Sequence, residues 1–322
     1  MTLSPFSRRE MLLGMSAVTG LSILPQFAFA QKTAEGKPLA SPVPAFDKDP
    51  ITTTKIADNL YVLMGMGGNI LLLTGDDGPL LIDTGVPMRG KDVIKAVTAA
   101  AHHPVATVIN THFHFDHTGG NVALGKAKAR IVAHDATRER MSTDQTGELL
   151  NFTVPASPAI ALPTLTFTDA MTLHLNGETI DLMHVAPAHT DTDIIVYLKN
   201  ANLIHAGDLF FNGFYPVIDY SSRGWIGGMV AGIDKALALA NPQTRIVPGH
   251  GPIGNKTALQ ASRDMLAAVQ AKIEPMVKNG KSVDDIVAAK PTAEFDAAWG
   301  KGLLPPDTFV KMVAIGIQRH NA

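Results

Sequence analysis

Cysteine is absent from this chain of 322 residues. That excludes disulfides, thiolate metal sites and a cysteine nucleophile, so any transition metal must sit on His, Asp or Glu, a donor set that suits zinc or iron. An excess of either charge is also lacking. With 27 Lys+Arg against 29 Asp+Glu, nothing points to nucleic acid or to an acidic tail. Aromatic residues are few, at 6%, so any local concentration of them is informative. Beyond the first thirty residues no apolar run is long enough to span a bilayer. The length fits one large domain or two small ones.

Residues 1–30 read as a twin-arginine signal peptide. Ser7-Arg8-Arg9-Glu10-Met11-Leu12 carries the paired arginines, an apolar stretch runs to Pro25, and Ala28-Phe29-Ala30 offers a small-x-small cleavage site before Gln31. Gly14, Gly20 and Pro25 break the stretch, which favours a cleaved signal over a retained anchor. The expectation is a bacterial periplasmic protein, handed folded to the twin-arginine export machinery, with no stable membrane span after cleavage. Residues 31–50, rich in Pro, Lys and Ala, read as a linker.

From residue 56 the texture changes. Short apolar runs at 60–63, 69–73 and 79–83 alternate with Gly-rich turns and predict strands; 88–102 has helical spacing, and 105–110 is a further strand. A second set follows, with strands at 171–175, 180–185, 194–198 and 202–206, a helix over 227–240 and a strand at 244–247. Amphipathic helices at 258–278 and 307–318 close the chain. Strands and then a helix, twice over, predict two similar α/β halves with sheets face to face and helices outside.

The densest chemistry is Thr111-His112-Phe113-His114-Phe115-Asp116-His117-Thr118-Gly119-Gly120, with four metal-competent side chains inside six positions. His112 and His114, two apart on an extended segment, point to the same side and can share one ion. Asp116 and His117 are neighbours and are expected to point in different directions. A catalytic tetrahedral site takes three protein ligands plus water, so the cluster oversupplies one ion and argues for two. Completing donors are expected in loops after strands: His189, Asp208, and His250 within Pro248-Gly249-His250-Gly251. Asp193 reads equally as a supporting carboxylate or a solvated turn residue. Of the twelve histidines, His102, His103 and His320 read as surface residues. His134, His174, His184 and His205 read as strand residues rather than ligands, with His184 and His205 near enough to support the site.

These residues, with Leu81-Ile82-Asp83-Thr84-Gly85, resemble the metallo-β-lactamase-fold hydrolases over about residues 56–251. The resemblance implies a four-layer αββα sandwich with C-terminal helices, so that 51–322 is one catalytic domain including a helical extension from about 256. It implies two Zn2+ per chain: one on His112, His114 and His189, the other on Asp116, His117 and His250, with Asp208 bridging them and Asp83 behind, holding the cluster loop. A water shared by the two ions would attack a carbonyl or phosphoryl centre, with Asp116 accepting its hydrogen bond.

The substrate, a small molecule, is less readable. One lactamase branch of that family has a metal-binding cysteine followed three residues later by a lysine that grips the substrate carboxylate. The corresponding residues here are Asp208 and Phe211, so the cation is missing and β-lactam cleavage is expected to be weak, with Arg223 the one nearby substitute. The aspartate version of the site is shared by thioesterase-like, lactonase-like and phosphodiesterase-like members. The stretch from 208 to 225 concentrates aromatics, and Phe211, Phe214, Tyr215, Tyr220 and Arg223 are expected to wall a pocket for an apolar acyl or ring portion. Packing that loop against the C-terminal helices is the competing reading of the aromatics.

Two other classes remain. Persulfide dioxygenases of the same fold hold one iron at the positions of His112, His189 and Asp208, whereas flavo-diiron members place a glutamate where this chain has His114. A non-catalytic metal binder would usually lack a ligand, and none is missing. Trp299 and Phe309 are expected either to pack the C-terminal helices on the domain or to form a dimer contact.

Overall fold

The structure is a computed structural model describing residues 50–322 apart from Met66, Leu150 and Ala186. The signal-peptide segment, and all but the last residue of the linker, lie outside the described residues.

The first half runs through β1 (Thr52–Ala57), β2 (Leu60–Met64), β3 (Ile70–Leu73), β4 (Leu80–Ile82), α1 (Gly90–Ala101), β5 (Thr107–Ile109), the one-turn α2 (Phe115–Thr118), α3 (Asn121–Lys126), β6 (Arg130–His134) and α4 (Asp135–Met141). A hairpin of β7 (Gln145–Gly147) and β8 (Phe152–Val154) follows, and β9 (Leu165–Phe167) returns to the sheet. The seven strands order as β1-β2-β3-β4-β5-β6-β9, antiparallel as far as β4 and parallel from β4 to β9.

The second half comprises β10 (Ala170–Leu175), β11 (Glu178–His184), β12 (Ile194–Leu198), β13 (Leu203–His205), α5 (Ile226–Leu239), β14 (Arg245–Val247) and β15 (Gly254–Asn255), a six-stranded sheet in sequence order. It repeats the plan of the first half. An antiparallel meander ends in a parallel crossover, from β13 through α5 to β14 here and from β4 through α1 to β5 there. Helices α6 (Lys256–Lys278), α7 (Val283–Ala288), α8 (Ala293–Trp299) and α9 (Pro306–His320) complete the chain.

Side-chain alternation along the strands produces the layers. Leu71, Leu73, Leu80, Ile82 and Ile109 of one sheet meet Ile180, Leu182, Ile194, Val196 and Leu203 of the other in a shared core between the sheets. The intervening residues point outward. Leu72, Leu81 and Val108 meet Val93 and Val97 of α1, and Ile195, Ile204 and Ile246 meet α5, α6 and α9. The result is the four-layer αββα sandwich. Phe309 of α9 is buried and stacks on Tyr215 with ring centroids 4.2 Å apart, so the C-terminal helices pack onto the second sheet's outer layer. No helix among the described residues is long and apolar enough to cross a membrane.

Several strands lie outside the sequence expectation. β1, β6, β7, β8 and β9 carry charged, threonine-rich or three-residue segments, in which apolar alternation is too short or too mixed to register.

Candidate metal centre

Every predicted ligand leaves the C-terminal end of a strand on one edge of the sandwich. The cluster loop follows β5, His189 follows β11, Asp208 follows β13 and His250 follows β14. Their donor atoms converge in two groups, His112/His114/His189/Asp208 and Asp116/His117/His250, with the atoms of each group within 4.8 Å of one another.

In the first group, Nε2 of His189 lies 2.9 Å from Nδ1 of His114 and 3.3 Å from Oδ2 of Asp208, and Nε2 of His112 is 3.9 Å from the same oxygen. In the second, Nε2 of His250 is 3.3 Å from Nε2 of His117 and 3.2 Å from Oδ2 of Asp116. Asp208 spans both, with Oδ1 3.1 Å from His117 Nε2 and Oδ2 3.5 Å from His250 Nε2. Donors around a tetrahedral ion at ~2.0–2.1 Å sit roughly 3.3 Å apart, the spacing seen here. Asp116 and His117 leave the backbone in different directions yet converge on one partner. They share the single turn α2, which sets them about 100° apart, and both reach His250.

Four of the five imidazoles, those of His112, His114, His117 and His189, are oriented by their other nitrogen. His117 Nδ1 bonds Oδ2 of Asp83 at 2.7 Å, His189 Nδ1 donates to the Val217 carbonyl at 2.7 Å, and His114 Nε2 bonds Oδ2 of Asp219 at 3.1 Å. Thr111 Oγ1 lies 3.0 Å from His112 Nδ1 and donates to Asp83 Oδ2 at 2.7 Å. In each case the free nitrogen is turned into the site, which is how protein partners orient histidine ligands. Two buried atoms of the site are left without a hydrogen bond, His112 Nε2 and Asp208 Oδ1. An apolar surround would make such orphans costly, and a divalent cation between them removes the cost. The donor set therefore fits two metal ions.

The field points the same way. Burial would lower the pKa of His117, but the carboxylates of Asp208, Asp116 and Asp83 hold it well above the usual imidazole range. Burial likewise acts against His250, and Asp208 and Asp116 raise it to about 9. Burial would raise Asp116 and Asp208, yet the surrounding histidines bring Asp116 to about 2 and Asp208 well below the carboxylate range. His112 is lowered by burial and His117, and His189 falls to about 4 through burial. Opposed shifts predict that the metal-free protein is most stable near pH ~6.5, the unfolded imidazole value. Stability from His117 and His250 is complete below that pH and lost as pH rises, for His250 through about 9. The unfolded forms of His112 and His189 take up protons that the folded protein refuses, so stability falls as pH drops from ~6.5 toward about 4. Thermal melts of chelated protein check this. A melting temperature that climbs steadily from pH ~6.5 to ~9 would contradict it.

Two glycines make the convergence possible. A β-carbon at Gly249 would overlap Asp208 Oδ1, and one at Gly68 would overlap the His117 ring.

Asp219 escaped the sequence reading. Beside holding His114, it accepts from Ser222 Oγ at 2.7 Å and from the Ser221 backbone at 2.9 Å, and His114 in turn draws its carboxyl down against the opposing effect of burial. Its one sequence signal was its place in the aromatic stretch after Asp208. Of the uncertain residues, Asp193 and His205 hold loops beside the site, whereas His184 packs against another strand histidine. Asp193 is buried and receives Thr190 Oγ1 and N at 2.6 and 2.9 Å, fastening the His189 loop, while burial pushes its carboxyl up to about 7. His205 bonds the Asn69 carbonyl at 3.1 Å, and His184 stacks on His134 with centroids 3.7 Å apart.

A cavity of 660 Å³ opens over the centre. Phe211 and Phe214 line it as expected, and Phe211 stacks on His250 with centroids 5.0 Å apart. The other three residues assigned to the wall do not line it. Tyr215 is turned into the core, its ring against Phe309 and its hydroxyl donating to Asp296 at 2.8 Å. Tyr220 is buried beneath the Arg319 guanidinium, and Arg223 is exposed at the left-handed end of a short helical turn. A wall that was not anticipated is the β7–β8 hairpin, with Thr146, Leu149, Phe152 and Val154.

Residues 63–269 match the family model of the metallo-beta-lactamase superfamily. The chain belongs to the metallo-beta-lactamase superfamily. It is 25% identical over 263 residues to a 2,4-dinitroanisole O-demethylase subunit alpha from Nocardioides sp. (strain JS1661), spanning 78% of this chain and 74% of that one. It is 26% identical over 209 residues to an acyl-coenzyme A thioesterase from Homo sapiens, spanning 58% of this chain and 74% of the relative. Among solved structures, a metallo-beta-lactamase from Pontibacter korlensis superposes with a TM-score of 0.56 at 20% identity, over 68% of this chain and 99% of that one, a likeness of fold. Membership of this superfamily makes the chain a metal-dependent hydrolase.

Proposed function

We propose that this superfamily member is a two-zinc hydrolase that cleaves an ester, lactone, thioester or amide-type bond in a small molecule. The observation that carries the reading is the pair of donor groups joined through Asp208, whose two oxygens face His117 on one side and His189 and His250 on the other. Two bound divalent ions would supply a nucleophilic water near neutral pH and polarise the scissile oxygen. The chain's own groups do the rest. Asp116, its carboxyl held ionised, faces the cavity and would accept a hydrogen bond from the attacking water. Asp83, Asp219 and the Val217 carbonyl keep the imidazoles aimed. Phe211 and Phe214 shed water from the approach.

The absence of thiolate donors and the balance of five histidines against two carboxylates suit zinc. The twin-arginine pattern at Ser7–Leu12 supports export to the periplasm as a folded protein, with the signal removed near Ala30. The test is a panel of β-lactams, lactones, thioesters, phosphodiesters and sulfate esters on protein carrying two zinc ions, with metal analysis of protein purified without added zinc. Turnover of an acyl-type substrate is expected. Stoichiometric iron would sink the zinc assignment in favour of a dioxygenase-like oxidoreductase, and zinc binding without turnover of any substrate would leave a metal-binding protein.

A further inference from the structure

Resting on the hydrolase reading, the charge and polarity of the cavity narrow the substrate. Among the described lining residues Arg140 is the only lysine or arginine. Its guanidinium is already matched, with Nε and Nη2 each 2.6 Å from the two oxygens of Asp191 and Nη1 3.1 Å from Gln145 Oε1. A bidentate pair of this kind neutralises the charge and fixes the fork, so a substrate anion would have to break it. Lys301 precedes the lining residue Gly302 but does not line the cavity, and Arg223, the candidate substitute for the missing lysine, faces solvent.

The surface facing the metal centre is apolar on two sides. On one, Phe152 of the hairpin packs edge-on against Phe115 of α2 with centroids 5.8 Å apart, beside Leu149 and Val154. The hairpin is held there rather than hanging free: the Glu148 N–H donates to Ser221 Oγ at 3.1 Å, and its carboxylate pairs with Arg319 of α9 at 2.7 and 2.9 Å. On the other side stand Phe211, Phe214 and Leu303, the last 52% exposed. A volume of 660 Å³ exceeds what the scissile group needs and has room for a medium-length chain or a ring.

We propose that the site takes electrically neutral esters or lactones bearing a bulky apolar portion, seated between the β7–β8 hairpin and the Phe211/Phe214/Leu303 wall, and that it discriminates against substrates carrying a carboxylate or phosphate on that portion. An anion placed there would lose its water and gain no free cation.

The test uses 4-nitrophenyl esters of straight-chain acids from two to eight carbons, each compared with an ester of equal length ending in a carboxylate. The enzyme carries two zinc ions. The value of kcat/KM should rise at least about tenfold from the shortest to the longest neutral ester, a modest fraction of the roughly fourfold available per buried methylene. A terminal carboxylate should lower it at least about tenfold. Phe152→Arg, which sets a cation in the wall, should shrink that discrimination about tenfold relative to the unmodified enzyme. Calorimetry on the zinc-loaded protein gives a second readout: octanamide should bind more tightly than its carboxylate-ended counterpart. A flat response to chain length, or equal handling of the charged esters, overturns the proposal. If no ester is cleaved but octanamide keeps its preference, the hydrolase reading falls and the pocket assignment stands.

Discussion

Under the proposed two-zinc reading, Asp208→Asn should cut zinc content from about two ions per chain to about one or fewer and lower hydrolysis about 10³-fold, the upper end of what is lost when one group stabilising transition-state charge is removed. The substitution keeps shape and removes charge. That charge sits 3.1 Å from His117 Nε2, 3.3 Å from His189 Nε2 and 3.5 Å from His250 Nε2, so three imidazoles lose their common partner at once. It also heads the carboxylates that raise His250 against the effect of burial, so metal-free Asp208→Asn should lose much of the decline in stability between pH ~6.5 and about 9. Metal analysis, steady-state kinetics and pH-resolved melts measure the three effects. Full occupancy by two ions with a rate within about tenfold of the parent would remove Asp208 from its bridging role.

Asp83→Ala should destabilise the metal-free protein by about 3–5 kcal/mol, although Asp83 touches no substrate. Its fully buried carboxylate accepts the Thr111 N–H at 2.8 Å and the Thr111 hydroxyl at 2.7 Å, and bonds His117 Nδ1 at 2.7 Å. Truncation leaves two donors and an imidazole unpartnered in a region closed to water, the circumstance in which loss of one partner costs most. The melting temperature should fall by about 10 °C. Zinc affinity should also drop about 10–100-fold, the usual consequence of removing the partner behind a histidine ligand. Asp83→Asn, which retains an acceptor for Thr111, should recover part of the stability and less of the affinity. A melting temperature unchanged within about 2 °C would show that the cluster loop is held by something else. Asp83 stands in the left-handed region at φ 65°, a conformation that aspartate tolerates better than alanine, which adds to the cost.

The candidate metal-ligating groups were legible in the chain because metal chemistry restricts residue type and spacing together. With cysteine absent, donors had to be His, Asp or Glu, and six positions held four of them. The antiparallel runs and long helices were legible where apolar periodicity persisted, as in β11, β12 and α6. The pocket was not. Tyr215 and Phe211 stand four residues apart in one aromatic stretch, yet one packs on Phe309 and the other on His250, because the chain between them turns from the metal edge toward α9. Asp219 looked like any loop aspartate until the fold carried it to His114, 105 residues away. The hairpin wall has three-residue strands that leave no periodic trace.

Taken alone, the amino-acid sequence determined the donor inventory, the alternation of strands and helices that builds two stacked sheets, and the superfamily's hydrolytic chemistry. Tertiary structure decided which carboxylate orients which imidazole, that Arg140 is neutralised by Asp191 from 51 residues away, and which aromatics line the cavity. The physical reason is range. Ligand identity and strand alternation are local properties, fixed by residue type and a period of two. Orientation, charge pairing and pocket polarity depend on contacts between segments distant in sequence, which exist only once the two sheets have closed on each other.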